Sequence, residues 1–274
     1  MRTVCTVGTT RIGYVTFEAA GAQPGRTQPI RTLLLLHAFP LNADMSDPQA
    51  AALPPGWRIV APDLRGFGQS SLPAGRATMD DYAGDLADLL DALHVHEAVV
   101  AGNSIGGYVA FALLRNAPHC VSGLVLIDTR AQADSDEARA SRRRMLDVID
   151  RAGTAGVVDE MLPRLLGAST QRDRPDLIQR VRDLMVCSPP EALKAAVTAM
   201  MGRPDSRSLL AGIHVPALVM AGEEDALIPV SAAEEMHQAM PSSVPEIIPQ
   251  AGHLPTLEQP AACNAVLKRF LERI

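Results

Sequence analysis

Short apolar runs alternate with amphipathic stretches along most of the chain. Each run is short enough for one strand and lacks the alternation of a half-exposed sheet, which is the pattern of strands buried on both faces of a parallel sheet. These runs fall at residues 32–36, 58–61, 98–101, 123–128 and 217–221. Because helical stretches separate them, the pattern predicts βαβ units and a doubly wound, mostly parallel sheet of the α/β class.

Further elements are predicted on either side of these runs. The β-rich segments 3–7 and 12–17 predict an antiparallel hairpin, and residues 20–28, which contain glycine and proline, predict a loop. After the last buried run, we expect a helix over 229–240, a short strand over 246–248 and a closing amphipathic helix over 261–274.

The helix predicted over residues 79–93 has the clearest periodicity. Its apolar side chains share one helical face, and five aspartates occupy the other, which indicates a surface helix with a solvated acidic side. Thr78 and Asp81 have the spacing of a capping box at its start.

The pattern changes between residues 129 and 208. Charged helical stretches follow one another there with no strand signal, which predicts a helical lid inserted after the sixth strand. We therefore expect a core domain of residues 1–129 and 209–274 and a lid of residues 130–208. The lid contains Arg142, Arg143 and Arg144, which we expect on its wet face, and binding of an anionic group of the substrate is the alternative. It also contains methionines that suit either a core or an adaptable apolar pocket, namely Met145, Met161, Met185, Met200 and Met201.

One strand-to-helix turn carries a recognisable chemical motif. The segment Gly102-Asn103-Ser104-Ile105-Gly106 fits G-x-S-x-G, with a β-type run before it and an apolar helical run after it. A turn of this kind exposes the serine hydroxyl on a strained corner. It also directs the N–H of the next residue and the positive helix end at charge that develops beside the serine. Ser104 is therefore the candidate nucleophile.

A serine hydroxyl needs a base to remove its proton, and the base works best when a carboxylate fixes its tautomer. The chain offers Ser104, then Asp225, then His253, each just beyond an apparent strand. Ser…Asp…His is the chain order of one established form of the catalytic triad.

Other carboxylates compete for the role of triad acid. Glu223 and Glu224 precede Asp225 directly, and Asp128 also lies at a strand end. Asp225 is the preferred candidate, and Asp128 is the alternative that stays open.

Composition limits the setting of this chemistry. The formal net charge is −6 and no basic stripe is present, which argues against a nucleic-acid partner. No apolar run approaches bilayer length and no signal peptide is evident, so we expect a cytoplasmic protein without a membrane partner. The four cysteines are scattered and predict neither a zinc site nor a disulfide framework. We expect no cofactor or metal, and both a monomer and a homodimer stay open.

Five segments give the chain a resemblance to a known family. They are His37-Ala38-Phe39-Pro40, Asp63-Leu64-Arg65-Gly66-Phe67-Gly68-Gln69-Ser70, the turn at Ser104, Gly222-Glu223-Glu224-Asp225 with Pro229, and Gly252-His253. Together they resemble the serine hydrolases of the α/β-hydrolase fold over nearly the whole chain. The likeness is to small bacterial carboxylesterases and to enol-lactone and acyl-homoserine-lactone hydrolases.

The resemblance implies an oxyanion hole and a reaction. The backbone N–H groups of Phe39 and Ile105 are the implied donors, although Ala38 stands where the family usually has glycine. The implied activity is hydrolysis of esters with small or medium acyl groups through an acyl-enzyme, and the substrate is a small ester or lactone. A lactonase with the same triad is one alternative. A non-catalytic ligand receptor on the same fold is the other.

Overall fold

An eight-stranded sheet forms the centre of the computed structural model, which describes residues 1–19, 30–73, 75 and 77–274. The loop predicted over residues 20–28 lies outside the described residues. The strands are β1 (Arg2–Val7), β2 (Thr10–Glu18), β3 (Arg31–Leu36), β4 (Trp57–Pro62), β5 (Ala98–Asn103), β6 (Val121–Ile127), β7 (Ala217–Gly222) and β8 (Ser243–Ile248). Their spatial order is β1-β2-β4-β3-β5-β6-β7-β8. Strands β1 and β2 form the predicted antiparallel hairpin, β2 pairs antiparallel with β4, and the other pairs are parallel.

Helices cover both faces of the sheet. They are α1 (Met79–Ala92), α2 (Ile105–Asn116), α3 (Asp136–Leu165), α4 (Ala168–Asp173), α5 (Pro175–Val186), α6 (Pro190–Met201), α7 (Arg207–Leu210), α8 (Val230–Ala239), α9 (Pro255–Glu258) and α10 (Pro260–Leu271). The segment Ala43–Ala52 is a 3₁₀ helix that contains Pro48. The short helix α9 was not predicted.

Alternation along β3 shows how the two faces are filled. Leu34 and Leu36 pack into a core shared with α1, α2 and α8. Leu33 and Leu35 pack into a second core shared with the 3₁₀ helix and α10. Successive side chains of a strand point to opposite faces, so β3 is buried on both of its faces. This confirms the doubly wound sheet predicted from the apolar runs.

The predicted capping box at the start of α1 is present. The Thr78 hydroxyl accepts from Asp81 N–H at 3.3 Å, and the Asp81 carboxylate accepts from Thr78 N–H at 2.8 Å. The two bonds satisfy two N–H groups that a helix start leaves without partners.

The segment after β6 is helical, as predicted. It holds α3 to α7 and no strand before β7 in this fully described stretch. Helix α3 is broken at Gly153, whose φ of +60° and ψ of −149° are not helical. A separate apolar core joins the second half of α3 and α5 to Ala38 and Leu254, close to two of the predicted site loops. The division into a core domain and a lid at residues 129 and 209 stays a prediction.

Among the residues that the structure describes, no helix combines the length and apolar character needed to cross a bilayer.

Candidate active site

The turn between β5 and α2 places Ser104 in a strained backbone conformation. Its φ is +56° and its ψ is −113°, a region that non-glycine residues rarely occupy. Ser104 N–H donates to Ile127 O at 2.9 Å, and the Thr129 hydroxyl donates to Ser104 O at 2.8 Å. These bonds to the end of β6 hold the turn in place and leave the serine side chain at the start of α2.

The two glycines of the motif are required by close backbone approach. A Cβ on Gly102 would overlap the backbone of Gly106, and a Cβ on Gly106 would lie 2.6 Å from Leu36 O. The helix therefore starts directly against β5 and β3, which only glycine allows at these two positions.

Asp225 and His253 meet although 28 residues separate them. The His253 Nδ1 atom lies 2.7 Å from Asp225 Oδ2, and the two side chains are 3% and 0% exposed, in that order. Asp225 Oδ1 also accepts from Leu227 N–H at 2.7 Å and from Ile228 N–H at 3.2 Å. The carboxylate is thus fixed by the loop after β7 and directed at the imidazole.

The electrostatics of Asp225 favour its ionised form. Burial alone would raise the pKa of this carboxyl, but the charge of His253, the hydrogen bond between them and two backbone N–H groups outweigh burial and lower the pKa. An ionised carboxylate at neutral pH can hold the imidazole in one tautomer and stabilise it when it becomes charged.

The rival carboxylates have other partners. Glu224 accepts from the N–H and hydroxyl of Ser169 at 2.8 and 2.6 Å, and Glu223 accepts only from Gln250 N–H at 3.3 Å. Asp128 accepts from Gly222 N–H at 2.8 Å. Within the described ranges none of the three bonds to His253, so the structure brings Asp225 and not its rivals to the histidine.

Ser104, His253 and Phe39 line one cavity of about 340 Å³. In the part of the chain that the structure describes, no hydrogen bond joins the Ser104 hydroxyl to His253, whereas His253 is held firmly by Asp225. Such nucleophile–base bonds are often loose when no substrate is bound. The predicted nucleophile and base thus share a cavity, and their catalytic roles stay a prediction.

Of the two predicted oxyanion donors, Phe39 lines the same cavity, and Ile105 directly follows Ser104 at the start of α2. Neither Phe39 N–H nor Ile105 N–H donates a hydrogen bond to another described residue. His37 supports the turn before Phe39, because its Nε2 accepts from Leu64 N–H at 2.9 Å and its Nδ1 lies 3.0 Å from Ala38 O. Burial lowers the pKa of His37, so the ring is neutral and suited to this bridging role. The donor roles of Phe39 and Ile105 are not tested by this arrangement.

Two supporting residues escaped the sequence analysis. Asn103 donates to Ile127 O and to His253 O, both at 3.2 Å, and so ties the serine turn to the histidine loop. Glu258 accepts from the N–H groups of Gly167, Gly252 and Leu254 at 2.7, 2.9 and 3.1 Å. The sequence held an indication of both roles, because each residue is polar and lies within an apolar segment. A polar side chain buried there needs hydrogen-bond partners.

The remaining walls of the cavity come mainly from α3 and α6. Three of the five methionines of this region, Met145, Met161 and Met200, line it, while Met185 belongs to an apolar core. Arg142, expected on the wet face, also lines the cavity and bonds to Asp134 at 3.1 Å. The cavity is therefore apolar in part and carries charged groups as well.

The structure brings together no group of three or more His, Cys, Asp or Glu side chains that is arranged for a metal ion, in residues 1–19, 30–73, 75 and 77–274.

Comparison with known proteins agrees with this fold. Residues 31–260 match a family model described as alpha/beta hydrolase fold. A thermophilic esterase from Thermogutta terrifontis, studied with malate bound, is 37% identical with a TM-score of 0.90, covering 100% of this chain and 98% of the other. The enol-lactonase from Burkholderia xenovorans LB400 is 26% identical with a TM-score of 0.88, covering 98% and 100%.

A curated relative carries a different activity in its name. It is a Bacillus subtilis (strain 168) protein named, provisionally, as a 2-succinyl-6-hydroxy-2,4-cyclohexadiene-1-carboxylate synthase. It is 31% identical over 230 residues, which are 80% of this chain and 83% of the relative.

Proposed function

The chain belongs to the alpha/beta hydrolase fold family, and from this premise we propose that it is a serine hydrolase of carboxylic esters with small or medium acyl groups. The resemblance and fold class predicted from the sequence are confirmed, and the relatives support a hydrolase, in general an ester hydrolase. One observation carries the finer proposal. Ser104, on its strained turn, shares a cavity with His253, which Asp225 holds at 2.7 Å.

Acylation uses these three side chains in sequence. His253 Nε2 takes the proton of the Ser104 hydroxyl as the serine oxygen attacks the ester carbonyl. Asp225 stabilises the imidazolium that forms. The same proton then passes to the departing alkoxide, so an alcohol leaves and the acyl group stays on Ser104.

The negative oxygen of the tetrahedral intermediate needs donors that are already in place. The N–H groups of Phe39 and Ile105 supply them in this proposal, with the positive end of α2 behind Ile105. One such donor is worth about 3 kcal/mol of transition-state stabilisation. In the second half of the reaction, His253 deprotonates a water molecule that attacks the acyl-enzyme and releases the acid.

We assign the choice of substrate to residues 130–208 acting as a lid over the core. The cavity is lined by Ser104 and His253 and also by Met145, Met161 and Met200 of residues 130–208. Its volume of about 340 Å³ suits a small ligand, since typical small-molecule pockets span roughly 300–1,000 Å³.

A lactonase is the second candidate, because an enol-lactonase is among the similar structures and covers 98% of this chain. A lactone is opened by the same steps without release of an alcohol. A non-catalytic receptor is the third reading, and it would bind such ligands without turnover.

The test is hydrolysis of p-nitrophenyl esters from acetate to decanoate, with lactone opening followed by pH-stat. Wild type is compared with Ser104→Ala and with Ser141→Ala, since Ser141 lines the same cavity from helix α3. We expect turnover that favours short acyl chains, its loss in Ser104→Ala and its retention in Ser141→Ala.

Other outcomes select other functions. Faster opening of lactones than of linear esters favours the lactonase. Ligand binding without turnover, equally in wild type and Ser104→Ala, favours the receptor. Equal activity in wild type and Ser104→Ala would overturn the serine mechanism.

A further inference from the structure

A second buried carboxyl group lies beside the predicted triad acid. Asp128 directly follows β6 and is 2% exposed. Its Oδ1 accepts from Gly222 N–H at 2.8 Å, whereas its Oδ2 is buried without a hydrogen-bond partner. Its backbone φ is +42°, a value that residues other than glycine seldom adopt. A buried carboxylate oxygen without a partner is costly, so the group needs an explanation.

The surroundings of Asp128 explain its unpaired oxygen. Burial, and after it the negative charge of Asp225, raise the pKa of Asp128 well above its ordinary value, and Glu258 adds to the effect. The nearby Cys263 thiol is uncharged, since burial raises its pKa to about 12. These surroundings favour the neutral form of Asp128, in which its carboxyl has an O–H group to donate.

Asp225 has room for that donor. Gly222 joins the two residues, because its N–H donates to Asp128 at 2.8 Å and its carbonyl accepts from Asp225 N–H at 3.3 Å. Asp225 already accepts from His253, Leu227 and Ile228, which occupy three of the roughly four acceptor positions of a carboxylate. One position is left for the proton on Asp128.

We propose that Asp128 is a positioning residue whose protonated carboxyl donates a hydrogen bond to Asp225 and so holds that carboxylate in line with His253. The pair carries one negative charge instead of two, and this charge faces the imidazole. The inference rests on the proposed function, and it assigns Asp128 a role different from that of an alternative triad acid.

Two substitutions separate these roles. Asp128→Asn keeps an N–H donor of nearly the same shape. Asp128→Gly removes the donor, and glycine accepts the positive φ without strain. Each is compared with wild type and with Asp225→Asn for kcat, KM and the pH profile of ester hydrolysis.

We expect Asp128→Asn to retain nearly the wild-type kcat. Asp128→Gly should lower kcat by about 10- to 100-fold at nearly constant KM, because hydrogen bonds to charged groups have this strength. The acid limb of its kcat/KM profile should move to higher pH. Without the hydrogen bond from Asp128, the Asp225 carboxylate stabilises protonated His253 more strongly. The charged groups that bear on this profile are Asp225 and Glu258.

Each opposite result overturns the proposal. If Asp128→Asn loses about 10⁴-fold in kcat, as expected for a triad acid, then Asp128 acts as an ionised carboxylate. If Asp128→Gly keeps the wild-type kcat and pH profile, Asp128 positions nothing.

An infrared measurement tests the protonation itself and needs neither turnover nor the glycine variant. The difference spectrum of wild type minus Asp128→Asn at neutral pH should show the carbonyl stretch of a protonated carboxyl group. Its absence would refute the neutral Asp128 even if the chain proves not to be an esterase. Its presence in a chain without esterase activity would leave the hydrogen bond intact and reject only the proposed function.

Discussion

Replacing Gly106 by alanine tests how closely the helix behind the nucleophile must approach the sheet. Gly106 lies in the first turn of α2, where alanine is intrinsically the better helix former by roughly 1 kcal/mol. The added Cβ would lie 2.6 Å from Leu36 O, whereas ordinary contact begins at 3.4 Å. Helix α2 and β3 must therefore separate by the difference between these two values, 0.8 Å.

This separation affects both folding and catalysis. Overpacking of this size costs about 1–3 kcal/mol of stability, which exceeds the gain in helix propensity. The displaced elements carry Ile105 N–H and the turn that follows Leu36, so both proposed oxyanion donors move apart. A misplacement of about 1 Å can cost roughly 100-fold in rate. We expect Gly106→Ala to be destabilised and to lose about 100-fold in kcat.

Gly84 supplies the matched control. It is also helical, in α1, but an added Cβ there meets nothing within 4 Å. Gly84→Ala should be stabilised by roughly 0.5–1 kcal/mol with unchanged kcat. Urea unfolding and p-nitrophenyl butyrate hydrolysis measure both quantities. If Gly106→Ala behaves like Gly84→Ala in both assays, the claim that α2 needs glycine against β3 is wrong.

Three further substitutions have defined outcomes. Asp225→Asn should lower kcat by about 10⁴-fold with little change in KM, measured by steady-state ester hydrolysis, because the imidazole loses its orienting charge. Asp134→Asn should lower the free energy of unfolding at pH 7 by about 3–5 kcal/mol in urea titrations, since it leaves the buried Arg203, now 2.5 Å from Asp134, without its counter-charge. Burial raises the pKa of Asp134 but nearby guanidinium groups outweigh it and lower the pKa, so this stability is present above the ordinary value of 3.8 and is lost as pH falls below it. The free energy of unfolding of Asp134→Asn should therefore fall less than that of wild type as the pH is lowered through this range. Glu258→Ala should lower kcat more than it raises KM, because three backbone N–H groups around His253 lose their acceptor.

Several results would contradict these expectations. Glu224→Gln is the control for Asp225→Asn, and equal losses in the two would mean that Asp225 has no special role. An Asp134→Asn variant whose unfolding midpoint matches wild type at pH 7 would show that Arg203 is sufficiently held by its carbonyl acceptors, Met200 O and Gln132 O. For Glu258→Ala, a change in KM alone would place the effect on binding instead of on the histidine.

Local signals made the sheet and the turn at Ser104 predictable from sequence. The apolar runs fixed the buried strands because both faces of each had to be covered, and the two glycines around Ser104 reflect a steric need that nothing else satisfies. Ser104, Asp225 and His253 could be chosen as candidates from sequence because each is a polar residue just after an apparent strand.

Contacts between distant loops were beyond the sequence. The choice of Asp225 over Asp128 depends on where β6 and β7 end relative to His253 in space, since both residues follow strands. Arg142 was expected in solvent, yet it lines the cavity, because the side that helix α3 turns toward the core depends on its packing. The polarity of the cavity could not be predicted for the same reason.

The loop that carries His253 is attached to the end of α3 as firmly as to the sheet. His253 N–H donates to Leu165 O at 3.0 Å, and a Cβ on Gly167 would lie 2.9 Å from Gly252 N, so the two backbones touch. A shift of the helical segment at this end would move His253 with it. A substitution at residues 165–167 therefore acts on the position of His253 as well as on the helical segment.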